Sequence, residues 1–259
     1  MSQRTEQGPI IRLSGIRNAC GDCSLYQLCL PVSLSTGDVQ RLEEIVQKRR
    51  PLDRGDHLYR AGDQFRSIYA VKSGSMKTYT ISQDGDEQVT GFHLPGEMVG
   101  LDAINSGTHP CSAVALETTS VCEIPFQALE NLAVKVPGLQ RQLLRIMSKE
   151  IFADHEMLQT LAKRTAEERL AIVLLSLSDR FARRGLSPHR FRLTMSRSDL
   201  SNYLGLAPET MSRLFKRFHD KGWMSGEGKE VTLENVKALR LLAGRGNGDD
   251  VRAEESGRH

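Results

Sequence analysis

The sequence predicts an α+β chain in which an N-terminal β-roll is followed by a long helix and a C-terminal winged helix-turn-helix unit. Three observations predict this order: short alternating strands with glycine turns, one long stretch without helix breakers, and two short helices separated by a glycine. With 259 residues the chain is long enough for two modest domains. The expected units are 1–30, 31–135, 136–164, 165–243 and a disordered tail at 244–259.

The predicted β-roll depends on polar and apolar residues that alternate in short runs. Between residues 51 and 125 these runs are HLYR, SIYAVK, MKTYTIS, QVTGFHL, SAVALE and TSVCEIP. They are separated by RGD, AGD, SGS, DGD and PGE, in which glycine supplies the turns. Short strands at this spacing predict an all-β barrel or roll.

Residues 136–164 predict a single long helix. Pro137 suits the first helical position, and neither proline nor glycine follows Gly138 in this stretch. Apolar residues then recur at alternating intervals of three and four, the period of a seam between two helices. The seam positions are Leu144, Met147, Ile151, Asp154, Leu158 and Leu161. We expect a dimer interface in which the two Asp154 carboxylates repel each other, unless the helix turns Asp154 outward.

Residues 196–233 have the pattern of a winged helix-turn-helix. Ser196 is a good N-cap with Asp199 three residues on, and Gly205 breaks the first helix. Pro208 then suits the first position of a second helix. The following MSGEGKEVTL predicts a small hairpin, the wing.

Polar residues on the second of these helices are candidates for contacts with nucleic acid. Glu209, Ser212 and Arg213 share one face near the N-terminal end, the part of such a helix that meets base edges. Arginine can bind guanine O6 and N7 through two bonds, and glutamate can accept from cytosine N4. A Glu209–Arg213 surface ion pair is the alternative. Candidate phosphate contacts are Arg197, Lys216, Arg217 and Lys221, with a solvated charged face as the alternative.

The distribution of charge agrees with such a face. The net charge of +3 is small, but residues 190–240 carry ten Lys and Arg against six Asp and Glu. This local excess would double in a dimer.

The stretch CGDCSLYQLC at residues 20–29 places Cys20, Cys23 and Cys29 close together in a chain with only two other cysteines. Their spacing reproduces neither common ferredoxin pattern. Closely spaced thiolates select an iron–sulfur cluster or zinc, while a redox dithiol and unliganded thiols remain alternatives. A metal centre needs a fourth ligand, and spacing does not choose among Cys111, Cys122 and a histidine.

Several function classes are disfavoured by composition. No run of 18 apolar residues is present, so we expect no membrane span. The N-terminus lacks the order of a secretory signal, which predicts a cytoplasmic protein. An odd number of five cysteines argues against a disulfide framework. The seven histidines are scattered without a nucleophile–base motif, so we do not expect an enzyme; a redox enzyme of the iron–sulfur or dithiol type is the alternative from another class.

These features in this order resemble the Crp/Fnr family of bacterial transcription regulators, and most closely its oxygen-sensing branch. The resemblance covers about residues 10–245, and its specific stretches are CGDCSLYQLC, DGDEQVTGFHLPGE, LETTSVCEIPF, AEERLA, RLTMSRSDLSNYLGL and ETMSRLFKRF. It implies a cyclic-nucleotide-binding-like β-roll that acts as a sensor domain. It also implies an oxygen-labile 4Fe-4S cluster on Cys20, Cys23, Cys29 and Cys122, which leaves Cys111 without a role.

The resemblance further implies a homodimer that binds a two-fold DNA site resembling TTGAT-N4-ATCAA. Glu209, Ser212 and Arg213 would read each half-site, and the dimer would activate or repress genes of anaerobic metabolism through RNA polymerase. The loop at residues 81–87 is a candidate polymerase contact, although a simple hairpin turn explains it equally well. A zinc-stabilised, heme or nitric-oxide-responsive member of the same family is the alternative regulator.

Two departures from the family pattern modify these expectations. Cyclic-nucleotide-binding relatives place an arginine–serine pair after the GE turn, whereas residues 96–117 here contain no arginine, so we expect no cyclic nucleotide to bind. Ala207 stands where a Ser or Thr cap is common before the recognition helix. The loss of such a cap costs about 0.5–2 kcal/mol, which Pro208 partly offsets by presetting the first turn.

Overall fold

The computed structural model describes residues 20–244 of the chain. The predictions for the segment before Cys20 and for the tail after Gly244 lie outside the described residues. The strand, helix and hairpin predictions all fall within them.

The β-roll consists of two four-stranded antiparallel sheets, with strand orders β1-β8-β3-β6 and β2-β7-β4-β5. Its strands are β1 Gln47–Lys48, β2 His57–Tyr59, β3 Ser67–Ser73, β4 Met76–Ile81, β5 Glu87–His93, β6 Met98–Val99, β7 Ser112–Ala115 and β8 Ser120–Pro125. All six predicted runs form strands, and the prediction of a roll is confirmed. The two-residue strands β1 and β6 are additional to it, because so short a run carries no alternation.

Two helices that the sequence analysis did not identify cover one sheet. α1 (Thr36–Ile45) begins after Ser35, whose side chain accepts from the backbone N–H of Asp38. α2 is Phe126–Lys135. Leu42 of α1 and Leu129 of α2 are fully buried in one cluster with Ile68 and Ile124 of the sheet.

The long helix α3 spans Pro137–Lys163, with Pro137 in its first turn as predicted. Leu143 and Ile146 pack against the cluster beneath the β-roll, whereas Met157 packs against the core of the C-terminal unit. One continuous helix therefore contacts both halves of the chain.

The C-terminal unit is a winged helix-turn-helix. Its helices are α4 Ala166–Ala182, α5 Arg197–Tyr203, α6 Pro208–Asp220 and α7 Val236–Leu242, and its strands are β9 Arg190–Arg192, β10 Met224–Ser225 and β11 Glu230–Leu233. The wing hairpin β10–β11 is confirmed, and β9 extends it to a three-stranded sheet of order β10-β11-β9.

Local signals at the turn between α5 and α6 agree with prediction. Ser196 and Asp199 form a reciprocal capping box at the start of α5. Gly205 has a φ of 61°, the left-handed conformation that favours glycine after a helix. Ala207 provides no side-chain cap to α6, and Pro208 occupies its first turn.

The two units share one hydrophobic core. Val89, Phe92 and Leu94 of the β-roll belong to the same buried cluster as Leu170, Leu200 and Phe218 of the C-terminal unit. Within residues 20–244, no helix is both long enough and apolar enough to cross a bilayer.

Candidate functional site

The three N-terminal cysteines lie in a compact segment beside the β-roll. The backbone N–H of Cys23 donates to Cys20 O over 3.2 Å, and a short 3-10 turn at Tyr26–Leu28 carries the chain to Cys29. The backbone N–H of Gly21 donates to Glu43 Oε1 over 3.0 Å, and Gln142 Nε2 of α3 donates to Cys29 O over 3.3 Å. These bonds tie the segment to both α1 and α3.

All three thiols line one cavity together with Cys122, which we call the cysteine pocket. Cys122 lies in β8 opposite Lys48 of β1 and Ala70 of β3. The rest of the lining is mostly apolar and comprises Leu25, Tyr26, Leu30, Pro31, Leu42, Val46, Ala70, Val71, Lys72, Gly96 and Ile124. The fold thus brings together Cys29 and Cys122, which are 93 positions apart in the sequence.

Burial controls the protonation of these thiols. Together with the smaller effect of the neighbouring cysteines, it raises the pKa of Cys20 to about 11 and that of Cys29 to about 12. Burial also raises the pKa of Cys122, whereas the charge of Lys72 lowers it. Without a metal these three thiols are neutral at pH 7, so a metal centre in the pocket must displace their protons.

Cys111 is separate from this pocket. It is buried in the β-roll, where its Sγ donates to Asp102 Oδ2 over 3.2 Å. Burial and then the Asp102 charge raise the pKa of Cys111 to about 12. It therefore behaves as a small buried hydrophobic residue. Of the two cysteines that spacing left as candidates, Cys122 lines the cysteine pocket and Cys111 does not.

The exposed side of α6 forms a polar surface, which we call the recognition face. Met211, Leu214, Phe215 and Phe218 of this helix are buried. Glu209, Ser212, Arg213, Lys216 and Arg217 are all exposed. The Arg213 Nε donates to the backbone O of Glu209 over 3.3 Å, so the Glu209 carboxylate is not what holds this guanidinium.

The candidate phosphate contacts differ in what they touch. The Arg197 guanidinium stacks over the Phe215 ring, with 4.3 Å between its Cζ and the ring centroid. Arg217 pairs with Glu167 of α4, and Lys221 Nζ lies 3.6 Å from the same carboxylate. The Arg217 hydrogen bond lowers the pKa of Glu167, which keeps this partner ionised. Glu167 was missed by sequence reasoning, because the pairing joins residues 50 positions apart.

The outer face of α3 carries apolar side chains that no other part of residues 20–244 covers. Leu144, Ile151, Phe152 and Leu158 are each more than half exposed. Met147 and Leu161 are half-buried, and Asp154 is exposed among the apolar residues. Partial burial raises the pKa of Asp154. Phe152 is an addition to the predicted seam.

Two family models match this chain. The model described as a cyclic nucleotide-binding domain matches residues 49–135, and the Crp-like helix-turn-helix domain matches residues 168–242. They correspond to the β-roll and to the unit that carries the recognition face.

Curated relatives match over most of the chain. The fumarate and nitrate reduction regulatory protein of Escherichia coli K12 is 50% identical over 234 residues, which covers 90% of this chain and 94% of the relative. The Klebsiella oxytoca fumarate nitrate reduction regulatory protein is 49% identical and covers 91% and 94%. These relatives are regulators, not enzymes.

A solved structure shares the fold. FixK2 from Bradyrhizobium japonicum superposes with a TM-score of 0.70 at 29% identity, covering 76% of this chain and 97% of FixK2.

Proposed function

This chain belongs to the Crp/Fnr family of helix-turn-helix transcription regulators, and from that premise we propose that it is an oxygen-responsive regulator whose cysteine pocket holds a 4Fe-4S cluster. The cluster, when bound, would supply reactivity towards oxygen, and exposure to oxygen would remove the cluster from the protein. The remaining steps of the proposal concern what the residues of this chain do.

The convergence of four thiols on one apolar cavity is the observation that carries the proposal. Cys20, Cys23, Cys29 and Cys122 supply the four thiolates that such a cluster takes. Apolar walls limit the access of water, and the positive charge of Lys72 favours the thiolate form of Cys122.

Within the described part of the chain, no group of three or more His, Cys, Asp and Glu side chains is placed to hold a metal ion as the side chains stand. The proposal rests instead on the four thiols that line the cysteine pocket and on the preference of clustered thiolates for iron–sulfur centres or zinc.

Ligation would tie the segment of residues 20–29 to strand β8. Cross-linking positions so far apart in the sequence restrains a long loop and contributes folding free energy to the region around it. That region includes α3, because Gln142 of α3 already bonds to Cys29 O.

The proposal places a homodimer interface on the outer face of α3. A two-fold contact would cover Leu144, Ile151, Phe152 and Leu158 with their own copies, which removes exposed apolar surface from water. The same contact would bring two Asp154 carboxylates together, which opposes association. The dimer is therefore marginal, and support from the ligated segment decides whether it persists.

The recognition face is the proposed DNA-reading surface. Two copies of α6 in a dimer would enter successive major grooves of a two-fold site resembling TTGAT-N4-ATCAA. Glu209, Ser212 and Arg213 would contact bases, and Arg197, Lys216 and Arg217 would contact phosphates. A monomer reaches only one half-site, so its affinity for the full site is much lower.

We further propose that the β-roll does not bind a cyclic nucleotide. No arginine lies within residues 96–117 to hold a phosphate. The interior there is occupied by its own side chains: the His109 and Tyr59 rings stack with centroids 3.6 Å apart, and Cys111 bonds to Asp102.

RNA polymerase is the remaining proposed partner, and the cytoplasm, where DNA and polymerase meet, is the proposed location. The loop at residues 82–86 between β4 and β5 is exposed throughout and follows the exposed Ile81. Such a projecting loop suits contact with a second protein.

Purification under nitrogen followed by chemical analysis tests the proposal. We expect close to four irons and four acid-labile sulfides per chain, with a broad visible absorption that air removes. A colourless protein that contains zinc, or one without metal that still binds its DNA site, would contradict it.

A further inference from the structure

Strand β5 is an edge strand of its sheet, and the DNA-binding unit covers that edge. Asn202 of α5 accepts from the backbone N–H of Val89 and donates to Glu87 O, each over 2.6 Å. The Asn202 side-chain amide thus hydrogen-bonds to backbone groups at the strand edge, as a neighbouring strand would. Lys77 Nζ of β4 lies 2.6 Å from both Glu87 Oε1 and Asp199 Oδ1. The first helix of the helix-turn-helix is therefore bonded to the β4–β5 hairpin.

The turn that follows β5, residues 94–97, is bonded to the DNA-binding unit through Glu97. The backbone N–H of Leu94 donates to Glu97 Oε2 over 3.0 Å, which fixes the carboxylate within its own turn. Arg180 of α4 donates through Nε to Glu97 Oε1 over 2.9 Å, and Arg184 donates through Nη2 to the same oxygen over 2.6 Å. Arg184 Nε also donates to Pro95 O over 2.7 Å. Two arginines are thus held by one carboxylate and by the backbone of one turn.

The opposite side of the same turn meets the cysteine segment. Gly96 lines the cysteine pocket and has a φ of 89°. A Cβ at Gly96 would stand 2.8 Å from Leu28 Cβ, a distance that real carbon atoms do not adopt, so Leu28 sits directly on the glycine. Leu28 is the residue before Cys29. Any displacement of Cys29 therefore acts on the turn.

The turn is in a position to transmit such a displacement rather than absorb it. The backbone N–H of Gly96 donates to Val71 O over 2.8 Å, and that of Val71 donates to Glu97 O over 3.0 Å. The Arg184 side chain is only 5% exposed. Removing one partner from a buried charge cluster leaves the others uncompensated, which makes the ion pairs costly to break.

Helix α4 connects this turn to the recognition helix. It has 17 residues and is therefore about 25 Å long. Arg180 lies near its C-terminal end, and Glu167 lies in its first turn, where it pairs with Arg217 of α6. The contacts run without a break from Leu28 through Gly96, Glu97, Arg180 and α4 to the recognition face.

We propose that Glu97 is a positioning residue that couples the cysteine segment to the DNA-binding unit by holding Arg180 and Arg184 against the turn on which Leu28 rests. This inference rests on the proposed function, because it describes how the state of the cysteines reaches the recognition helix. Glu97 touches neither the thiols nor DNA; it acts through the two arginines.

Hydrogen–deuterium exchange on the metal-free chain tests the contact path directly. Leu28→Ala should speed exchange of the amides at 180–184 by at least about twofold, a small coupling free energy. In a Glu97→Gln background the same Leu28→Ala change should have no further effect there. Glu117→Gln is the matched control, since the Glu117 carboxylate accepts from Ser75 Oγ inside the β-roll. Unchanged exchange at 180–184 in Leu28→Ala would overturn the inference.

A comparison of Gln and Asp at position 97 separates charge from packing. Glutamine matches the shape of glutamate but has no charge, whereas aspartate keeps the charge on a shorter side chain. The measured quantity is the operator affinity of the iron-loaded chain divided by that of the metal-free chain. We expect this ratio to be closer to the wild-type value in Glu97→Asp than in Glu97→Gln. The reverse order would assign Glu97 a packing role and overturn the proposal.

The same measurements of operator affinity distinguish a failure of the proposed function from a failure of the proposed coupling. A wild-type ratio near one would overturn the proposed function and the sensory role of Glu97 with it. A large wild-type ratio that Glu97→Gln preserves in full would overturn the coupling alone. If Glu97→Gln does not fold, Leu28→Ala, normalised to its iron content, decides: we expect a reduced ratio, and a full ratio contradicts the coupling.

Discussion

The cysteine pocket and the recognition face place their chemistry in opposite surroundings. In the pocket, burial keeps the thiols of Cys20 and Cys29 protonated, with pKa values raised to about 11 and 12. On the recognition face, Arg213, Lys216 and Arg217 are exposed, and Arg217 is also paired with Glu167. The proposed DNA contacts use side chains that already carry charge, whereas the proposed cluster has to displace the protons of the thiols. The proposal therefore assigns the response to a signal to the pocket and not to the face.

The largest expected effect is a loss of iron in variants that change the cysteine pocket and leave the recognition face unchanged. Cys122→Ser removes the one proposed ligand that lies in a strand, so anaerobically purified protein should lose most of its iron. Cys23→Ser should give the same result, a colourless monomer under nitrogen. Iron analysis and sedimentation check both.

Cys111→Ser provides the matched control for these variants. Serine can keep the hydrogen bond to Asp102, and position 111 is outside the pocket. We expect normal iron content in this variant. Equal iron loss in Cys111→Ser and Cys122→Ser would contradict the assignment of the ligands.

The next largest effect is a loss of DNA binding in variants that change the recognition face and leave the cysteine pocket unchanged. Arg213→Ala should cost about 1–3 kcal/mol of binding to the specific site and relax preference at one base position. Lys216→Ala should weaken binding to all sequences alike and lower the salt dependence by about one ion. Fluorescence anisotropy on specific and scrambled duplexes separates the two results. Equal losses on both duplexes for Arg213→Ala would remove it from base reading.

A smaller effect is expected on dimerisation through α3, the helix that contacts both halves of the chain. Asp154→Ala removes the carboxylate from the outer face of α3, so the metal-free chain should dimerise in air. Glu156→Ala, elsewhere on the exposed surface of α3, is the control and should remain monomeric. A monomeric Asp154→Ala protein in sedimentation would show that repulsion at this position does not hold the copies apart.

The smallest effect concerns pH and compares two carboxylates near α3. Burial, with the charges of Glu97 and Asp154, raises the pKa of Glu150 to about 7. An ordinary unfolded glutamate titrates near 4.3, so the folded chain binds more protons than the unfolded chain between these values, and its stability falls as pH rises through this window. Glu150→Gln should flatten that decline in denaturant titrations. An unchanged slope would contradict the shift.

Glu97 contributes to the pH dependence of stability with the opposite sign. Burial alone would raise its pKa, but Arg180 and Arg184 lower it to about 2. Its contribution is therefore present above about pH 4.3, the unfolded value, and is lost as pH falls towards 2. Glu97→Gln should remove this acid-dependent loss, and it should also narrow the Glu150 window, because the Glu97 charge helps to raise the pKa of Glu150.

Local signals made much of the fold predictable. Ser196, Gly205 and Pro208 each act on their own few residues, so the helix-turn-helix follows from the sequence. The strands follow in the same way from their glycine turns. Strands β1, β6 and β9 were not predicted, because runs this short show no clear period. They pair with β8, β3 and β11.

Contacts between distant residues were not predictable. Asp199 was identified as a cap, but its pairing with Lys77 joins residues 122 positions apart. The bonds from Arg180 and Arg184 to Glu97 span 83 and 87 positions. No periodic pattern encodes such pairs, because they depend on how two separately specified units dock. The convergence of Cys122 with the N-terminal cysteines is a contact of the same kind: spacing did not choose Cys122, and only the resemblance to the family implied it.

The most direct test of the central claim is a measurement of operator binding and molecular mass on one anaerobically purified sample, before and after exposure to air. The account predicts an iron-containing dimer that binds the two-fold site tightly, and after air a monomer without the cluster that binds it weakly. A sample whose mass and operator affinity stay the same while its iron is lost would contradict the claim that the cysteine pocket controls the recognition face.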